Sequence, residues 1–226
     1  MNGKRILIVG GVAGGASCAA RARRLSEESE IILFDRGPYV SFANCGLPYY
    51  VGDVIRQEKK LLVATPELFK KRFNIQVRLF SEVTAIDREK NEIQVKDMES
   101  GKTYSEHYDA LALSPGASPI RPPLPGIDLP GIFTVRTVPD SKKIREWITA
   151  GSATSAVIVG GGFIGLEMAE NLVKRGISVT LVEMQPHVMP PLDPEMTTPI
   201  HKELSRHNVK LLLGETVTGF EPCENG

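Results

Sequence analysis

AVIVGGGFIGLE, residues 156–167, combines a run of apolar residues, a glycine turn and the start of a helix. Gly160, Gly162 and Gly165 have the spacing of a dinucleotide-binding turn, and Glu183 ends the next apolar run. The glycines of such a turn let a pyrophosphate approach the amides at the start of the helix. An acid in the place of Glu183 accepts hydrogen bonds from ribose hydroxyls and repels a 2′-phosphate, which favours NADH over NADPH. A glycine turn without a ligand is the alternative.

The same order of elements occurs earlier in the chain, over residues 5–35. The apolar run RILIV precedes a glycine turn, a helix and a second apolar run that ends at Asp35. Val12 stands where the middle glycine of the motif belongs, so a unit that has lost its ligand is an alternative here. Unbroken Val, Ile and Leu runs indicate strands buried on both faces, as in parallel sheets between helices. The sequence therefore predicts a three-layer α/β protein with two Rossmann-like units, and flavin with nicotinamide is the usual pairing of two nucleotides.

The domain boundaries follow from the segments around these two units. The region around residues 76–113 contains the shorter strand candidates IQVRLF, EVTAID and EIQVKD and then the apolar run DALALS, and residues 115–131 are rich in Pro and Gly. We expect a first, FAD-binding domain at 1–120 that includes Cys45, a crossover with a short helix at 121–150, and an NAD(P)-binding domain at 151–226. The last of these contains only three strand candidates, so we expect its parallel sheet to be incomplete here.

Composition excludes several classes of protein. The 226 residues contain 27 Lys and Arg and 27 Asp and Glu, so no net field attracts nucleic acid or an anionic membrane. No apolar run approaches the roughly 18 residues of a membrane span and no leader precedes the first strand, which predicts a cytoplasmic protein without membrane or nucleic-acid partners. The four histidines lack ligand spacing, so no metal site is expected. Cys18, Cys45 and Cys223 are too scattered for a disulfide framework.

Cys45 lies in the stretch SFANCGLPYY, residues 41–50, in the loop after Asp35. A thiolate in this loop could be held close to a flavin and react there. Because no second cysteine is near, its oxidised form would be a mixed disulfide, a persulfide or a sulfenic acid. An isolated cysteine that is simply a small buried apolar residue is the alternative.

The helix after the first glycine turn has a polar stripe formed by Ser17, Arg21 and Arg24, next to an apolar stripe that contains Cys18. We expect Cys18 to be a core thiol. On spacing alone, a solvated helix face is favoured for Arg21, Arg23 and Arg24 over a phosphate site.

Four stretches together resemble the coenzyme A-disulfide reductases and their persulfide-reductase and NADH-oxidase relatives, which are single-cysteine pyridine nucleotide-disulfide oxidoreductases. The stretches are VGGVAGGAS at 9–17, SFANCGLPY at 41–49, SPGASP at 114–119 and GGGFIGLE at 160–167. The resemblance covers essentially the whole chain, but only as the N-terminal part of such an enzyme. It includes Val12, which these flavoenzymes tolerate, so the missing glycine no longer counts against flavin.

The resemblance implies a role for each site residue. Cys45 would form a mixed disulfide with coenzyme A, next to Ser41 and Asn44, with the stripe Ser17, Arg21 and Arg24 facing coenzyme A. FAD would be contacted by Gly10, Gly11, Val12, Ala13, Gly14, Gly15, Asp35, Arg36, Ser114, Pro115 and Gly116. The nicotinamide nucleotide would be held by Gly160, Gly161, Gly162, Phe163, Ile164, Gly165 and Glu183, with Glu167 near the nicotinamide and flavin rings.

The implied activity is an FAD-dependent NAD(P)H:disulfide oxidoreductase. It would reduce coenzyme A disulfide, a coenzyme A persulfide or a polysulfide through Cys45. The alternatives are an NADH-oxidase type of flavoenzyme that reduces oxygen, and a nucleotide- and coenzyme A-binding fragment without turnover. The resemblance also implies a homodimer formed through a C-terminal domain that these residues do not include.

Overall fold

The computed structural model describes residues 3–151 and 153–222, and Cys223 lies outside them. Contacts divide the chain into two compact units. The first consists of Met1–Ala43 and Leu62–Ala117, and the second consists of Asn44–Leu61 and Ser118–Gly226. Each unit contains one parallel sheet and one of the two glycine turns.

Strands and helices alternate at the start of the chain and from residue 138 onward, and five strands follow one another between residues 76 and 113. The strands are β1 (Arg5–Val9), β2 (Glu30–Phe34), β3 (Gln76–Arg78), β4 (Ser81–Asp87), β5 (Glu92–Asp97), β6 (Thr103–His107), β7 (Ala110–Leu113), β8 (Ser155–Val159), β9 (Ser178–Glu183) and β10 (Lys210–Leu213). The helices are α1 (Ala13–Leu25), α2 (Leu47–Val51), α3 (Pro66–Phe73), α4 (Val138–Thr149), α5 (Phe163–Lys174) and α6 (Pro194–Arg206). Short 3₁₀ turns cover Asn44–Gly46 and Glu58–Lys60.

The first unit has three layers around a parallel sheet in the order β3-β2-β1-β7. Because successive side chains of a strand point to opposite faces, β1 and β2 contribute to two cores. The core on the helix side consists of Ile8, Ala16, Ala19, Ile31, Leu33, Val40, Phe69 and Ile75. The core against the antiparallel sheet β4-β5-β6 consists of Leu7, Ile32, Phe34, Ile93, Val95 and Tyr108. The expectation of strands buried on both faces is therefore confirmed in this unit.

A group of charged side chains connects the two sheets of the first unit. Glu106 on β6 accepts hydrogen bonds from Arg78 on β3 and, at 2.5 Å, from Arg5 on β1. Arg5 also pairs with Glu30, 2.9 Å away on β2, and the Arg78 guanidinium lies 5.3 Å from the centre of the Phe34 ring. Burial by itself raises the pKa of Glu106, but the hydrogen bonds and charges of Arg78 and Arg5 outweigh it and hold the pKa below its ordinary value.

We expect Glu106→Gln to destabilise the first unit by about 1–2 kcal/mol at neutral pH, because it removes a charged acceptor that solvent only partly reaches. A carboxylate with a lowered pKa stabilises the fold above its unfolded pKa, near 4.5, and this contribution disappears as the pH falls through the folded pKa. Urea unfolding at pH 7 and at pH 3 measures the difference. A gap between wild type and variant that stays the same at both pH values would contradict this role for Glu106.

The second unit contains a parallel sheet in the order β10-β9-β8. Its core lies around Val179 and Leu181 of β9, which are almost fully buried. Helix α4 begins with a capping box, in which Thr137 accepts from the Asp140 amide and Asp140 accepts from the Thr137 amide. On the edge strand β8, by contrast, Val157 and Val159 are 65% and 58% exposed, so burial on both faces does not hold for that strand.

The segment that contains Cys45 belongs by its contacts to the second unit. Helix α2 packs against α4 and α5, and its Leu47 and Val51 are buried. The sequence division assigns Cys45 to a domain of residues 1–120 and treats 121–150 as a crossover. The structure instead groups Asn44–Leu61 and helix α4 with the second unit, because the apolar residues of α2 are buried there.

Within residues 3–151 and 153–222, none of the helices combines the length and the hydropathy that a bilayer span requires.

Candidate nucleotide and thiol sites

The first glycine turn is closed by close approaches of the backbone. The Gly10 amide donates to the Phe34 carbonyl oxygen, 2.8 Å away, and Gly10 has a φ of 89°. A Cβ at Gly10 would lie 2.0 Å from the Ser114 carbonyl oxygen, and one at Gly15 would lie 1.7 Å from the Gly10 oxygen. Since real Cβ atoms do not approach oxygen so closely, the turn requires glycine at both positions.

Asp35 closes the first turn from the end of β2. Its Oδ2 accepts from the Gly11 amide at 2.8 Å, and its Oδ1 accepts from the Gly37 amide at 2.8 Å. An ionised carboxylate offers about four acceptor positions, so roughly two stay available. This geometry suits a ligand with neighbouring hydroxyl groups, such as a ribose.

The start of α1 offers unpaired donors beside this acid. Val12, the residue before the helix, makes no side-chain cap, so the first amides of α1 have no capping acceptor. Ala13 and Gly14 are exposed, and Ser114 follows β7 with its Oγ 3.2 Å from an ideal Cβ at Gly14. The structure therefore brings the turn, Asp35 and Ser114 together at the carboxyl ends of β1, β2 and β7. The remaining residues of the expected FAD set, Arg36, Pro115 and Gly116, are exposed.

The second glycine turn repeats this construction. The Gly160 amide donates to the Val182 oxygen at 2.8 Å, and Glu183 accepts from the Gly161 amide at 2.6 Å and from the Gln185 amide at 2.9 Å. A Cβ at Gly165 would lie 2.0 Å from the Gly160 oxygen. The carboxylates of Asp35 and Glu183 thus accept equivalent pairs of backbone hydrogen bonds, although Glu183 is buried and Asp35 is half-buried.

The middle position of the motif is Val12 in the first turn and Gly162 in the second, and the space around this position accommodates either residue. A Cβ added at Gly162 would have no described atom within 4 Å, so the protein itself has room for a side chain there. Val12 occupies the equivalent place in the first turn and is half-buried. Nothing in the fold therefore excludes valine at this position. At the start of α5, Phe163 and Ile164 are exposed, and Glu167, one turn further along, is half-buried.

Cys45 is exposed and forms no disulfide within the described residues. It lies in the 3₁₀ turn Asn44–Gly46, which continues directly into α2. The Oδ1 of Asn44 is buried and has no hydrogen-bond partner among the described residues. Because a buried acceptor without a partner is costly, this oxygen is suited to a donor from a ligand or from water.

Ser41, in the first unit, has a left-handed backbone. Its φ is 49°, which costs a residue other than glycine about 1–3 kcal/mol and needs support from its surroundings. The Ser41 amide donates to the Gly11 oxygen at 2.8 Å, and its own oxygen accepts from the Val63 amide at 2.7 Å. These bonds hold the Ser41 backbone against the first glycine turn.

The arginines of α1 have different environments. The side chains of Ser17, Arg21 and Arg24 are exposed on one stripe, and neither guanidinium forms an ion pair or hydrogen bond within the described residues. Arg23 is buried instead and donates to the carbonyl oxygens of Ser26, Glu27, Ser29, Phe73 and Asn74. The expectation that Arg23 shares a solvated face is wrong, because this side chain points toward the carbonyl groups that follow α1 and α3. Cys18 is half-buried against the helix-side core.

Comparisons with known proteins agree with this arrangement. Residues 4–225 match the family described as pyridine nucleotide-disulphide oxidoreductase. The coenzyme A disulfide reductase of Staphylococcus epidermidis is 41% identical over 214 residues, which are 95% of this chain and 48% of that protein. The chain spans about half the length of the curated relatives that it matches.

Two solved structures are also similar. Reduced CoADR-RHD of Bacillus anthracis has a TM-score of 0.95 and 52% identity, and the match covers 100% of this chain and 40% of that one. The NAD-dependent persulfide reductase from A. fulgidus has a TM-score of 0.93 and 33% identity, with coverage of 98% and 42%. The resemblance and the fold class expected from the sequence are confirmed.

Proposed function

The chain belongs to the pyridine nucleotide-disulphide oxidoreductase family, and we propose that its activity is that of a flavin-dependent NAD(P)H:disulfide oxidoreductase. Its substrate would be coenzyme A disulfide, a coenzyme A persulfide or a polysulfide. The observation that carries the proposal is an exposed, unpaired Cys45 in a chain with two glycine turns, each closed by an acid. Relatives named coenzyme A disulfide reductase and persulfide reductase support the substrate class.

We assign the first turn to FAD. Asp35 would accept the ribose hydroxyls, and the uncapped start of α1 would receive the pyrophosphate. Ser114, Pro115 and Gly116 would line the adjacent edge. FAD, when bound, supplies the two-electron step between the nicotinamide and sulfur.

We assign the second turn to NADH rather than NADPH. Glu183 is buried, and its two oxygens already accept from Gly161 and Gln185, so the carboxylate is held in place. A fixed negative charge beside the ribose repels a 2′-phosphate, and its remaining acceptor positions suit two hydroxyl groups.

Cys45 would carry the covalent step. Its thiolate attacks one sulfur of the substrate disulfide, so that a mixed disulfide forms and the first thiolate leaves. Two electrons from NADH then cleave the mixed disulfide, releasing the second thiolate and restoring Cys45. Asn44 precedes Cys45 in the same 3₁₀ turn, and its buried, unpaired Oδ1 would accept a hydrogen bond from the substrate.

Coenzyme A would be held by Ser17, Arg21, Arg24, Ser41 and Asn44. Free, exposed guanidinium groups on one helix stripe suit the phosphates of coenzyme A, because arginine binds phosphate oxygens in pairs. The family resemblance further supports a cytoplasmic homodimer as the form of the whole protein.

We expect Arg21→Ala and Arg24→Ala each to raise the KM for coenzyme A disulfide at least about tenfold, as removal of one charge-assisted contact costs roughly 1.5–3 kcal/mol. The KM for pantethine, which lacks the phosphates, should not change. Initial-rate kinetics with both substrates measures this, with Arg72→Ala on α3 as the matched exposed control. Equal effects on both substrates would argue against phosphate binding.

The proposed reaction is tested by its stoichiometry. The chain, loaded with FAD and kept without oxygen, should release two thiols for each NADH that it oxidises with coenzyme A disulfide. NADH oxidation that requires oxygen and releases no thiol would assign the protein to the oxidase alternative. Nucleotide binding without NADH oxidation would assign it to the binding-fragment alternative.

A further inference from the structure

The helix that follows Cys45 has its C-terminal end held by a side chain from another helix. The carbonyl oxygens of Pro48, Tyr49 and Tyr50 accept from backbone amides of residues 52–55, at distances of 2.8–3.3 Å. The Val51 oxygen accepts from Arg175 at the end of α5, 3.1 Å away. Arg175 therefore satisfies a carbonyl group that the end of a short helix leaves unpaired.

A second arginine holds the turn after α2. The Arg145 guanidinium lies 4.5 Å from the centre of the Tyr50 ring, forms an ion pair with Asp53 and donates to the Arg56 oxygen at 3.0 Å. Asp53 has a φ of 63°, a conformation that its surroundings must maintain. Arg145 uses its planar face and several donors at once, which a lysine cannot do.

The residue after α2, Gly52, is in close contact with Asn171 on α5. A Cβ at Gly52 would lie 2.2 Å from the Oδ1 of Asn171. Asn171 is fully buried, and its Nδ2 donates to the Glu167 oxygen at 2.8 Å. The end of α2 therefore lies directly on α5.

The position of Cys45 depends on that of helix α2. The 3₁₀ turn that contains Cys45 ends at Gly46, and α2 begins at Leu47. Gly46 and Leu47 are buried, whereas Cys45 is exposed. Movement of α2 relative to α4 and α5 would move the Cys45 sulfur with it.

We propose that Arg145 and Arg175 are positioning residues for Cys45. Among the described residues, their side chains contact α2, the turn after it and Thr149 rather than Cys45 or a glycine turn, and they act by holding α2 and that turn in place. The proposal rests on the proposed function in one respect, namely that Cys45 is the reacting sulfur. A displacement of about 1 Å at a reacting atom can cost roughly 100-fold in rate.

The test compares Arg145→Ala and Arg175→Ala with Lys143→Ala, an exposed change on α4. We expect kcat for disulfide reduction, per bound flavin, to fall about 10–100-fold, with the KM for NADH and the rate of flavin reduction by NADH unchanged. A purely structural role would lower the yield of folded protein and leave kcat per bound flavin as it was. Arg145→Lys and Asp53→Asn keep the side-chain sizes similar and replace the alanine variants if these do not fold.

Alkylation of Cys45 by iodoacetamide provides a readout that needs neither NADH nor a disulfide. We expect its rate to rise at least about threefold in the Arg145 and Arg175 variants, because a loosened α2 exposes the sulfur from more directions. Alkylation and kcat equal to those of Lys143→Ala would overturn the proposal. If the wild-type chain reduces no disulfide, the proposed function fails, and the alkylation comparison still decides whether the arginines position Cys45.

Discussion

Cys45→Ser is expected to lower disulfide reduction by at least about 1,000-fold, because the hydroxyl group cannot form the mixed disulfide through which the reaction proceeds. Reduction of bound flavin by NADH should continue, since that step uses the two nucleotide turns and not the sulfur. Rapid-mixing absorbance measurements follow flavin reduction, and thiol release follows the disulfide step.

The matched control is Cys18→Ser. Cys18 is half-buried against the helix-side core of the first unit, so its replacement should lower stability slightly without changing the reaction of Cys45. Disulfide reduction that persists in Cys45→Ser would show that another group carries the covalent step.

Gly165→Ala should lower stability and Gly162→Ala should not, although both change the second glycine turn. The new Cβ at residue 165 would meet the Gly160 oxygen at 2.0 Å, and backbone atoms cannot move aside easily. We expect a loss of about 3 kcal/mol, at the upper end for overpacking, and a melting temperature lower by roughly 6–12 °C.

Gly162→Ala should instead be neutral or stabilising by up to about 1 kcal/mol. The new Cβ has open space around it, and alanine lowers the conformational entropy of the unfolded chain. The substitution should nevertheless weaken the affinity for NADH at least about tenfold, because the pyrophosphate must approach the backbone of residue 162 closely. Calorimetry and an NADH titration separate the two effects. Unchanged NADH affinity in Gly162→Ala would contradict a close approach of the pyrophosphate to residue 162.

Much of the fold can be predicted from periodicity and glycine spacing. Both strand–turn–helix–strand repeats form as expected, since buried parallel strands require long apolar runs and the turns require glycine at Gly10, Gly15 and Gly165. The strand β6 was not predicted, because its alternating polar sequence TYSEH carries no strong strand signal. β3 is only three residues long, and its role as the edge of the parallel sheet follows from packing against β2.

The site could be predicted in part. Asp35 and Glu183 lie where the motif requires an acid, and their shared hydrogen-bonding pattern follows from the strand ends that they occupy. The anchoring of α2 could not be predicted, because Arg145 and Arg175 lie far from Cys45 in sequence and only tertiary packing brings them to the helix that follows it. Arg23, by contrast, lies on the helical face of Ala16 and Ala19, so this spacing was a signal for its burial that the expected polar stripe did not use.

The visible spectrum of the purified chain, recorded before and after anaerobic addition of NADH, is the most direct test of a flavin in the first turn and NADH in the second. We expect flavin absorbance that NADH bleaches, in the wild type and equally in Cys45→Ser. A colourless protein would contradict the assignment of FAD to the first turn, and a flavin spectrum that NADH leaves unchanged would contradict the assignment of NADH to the second.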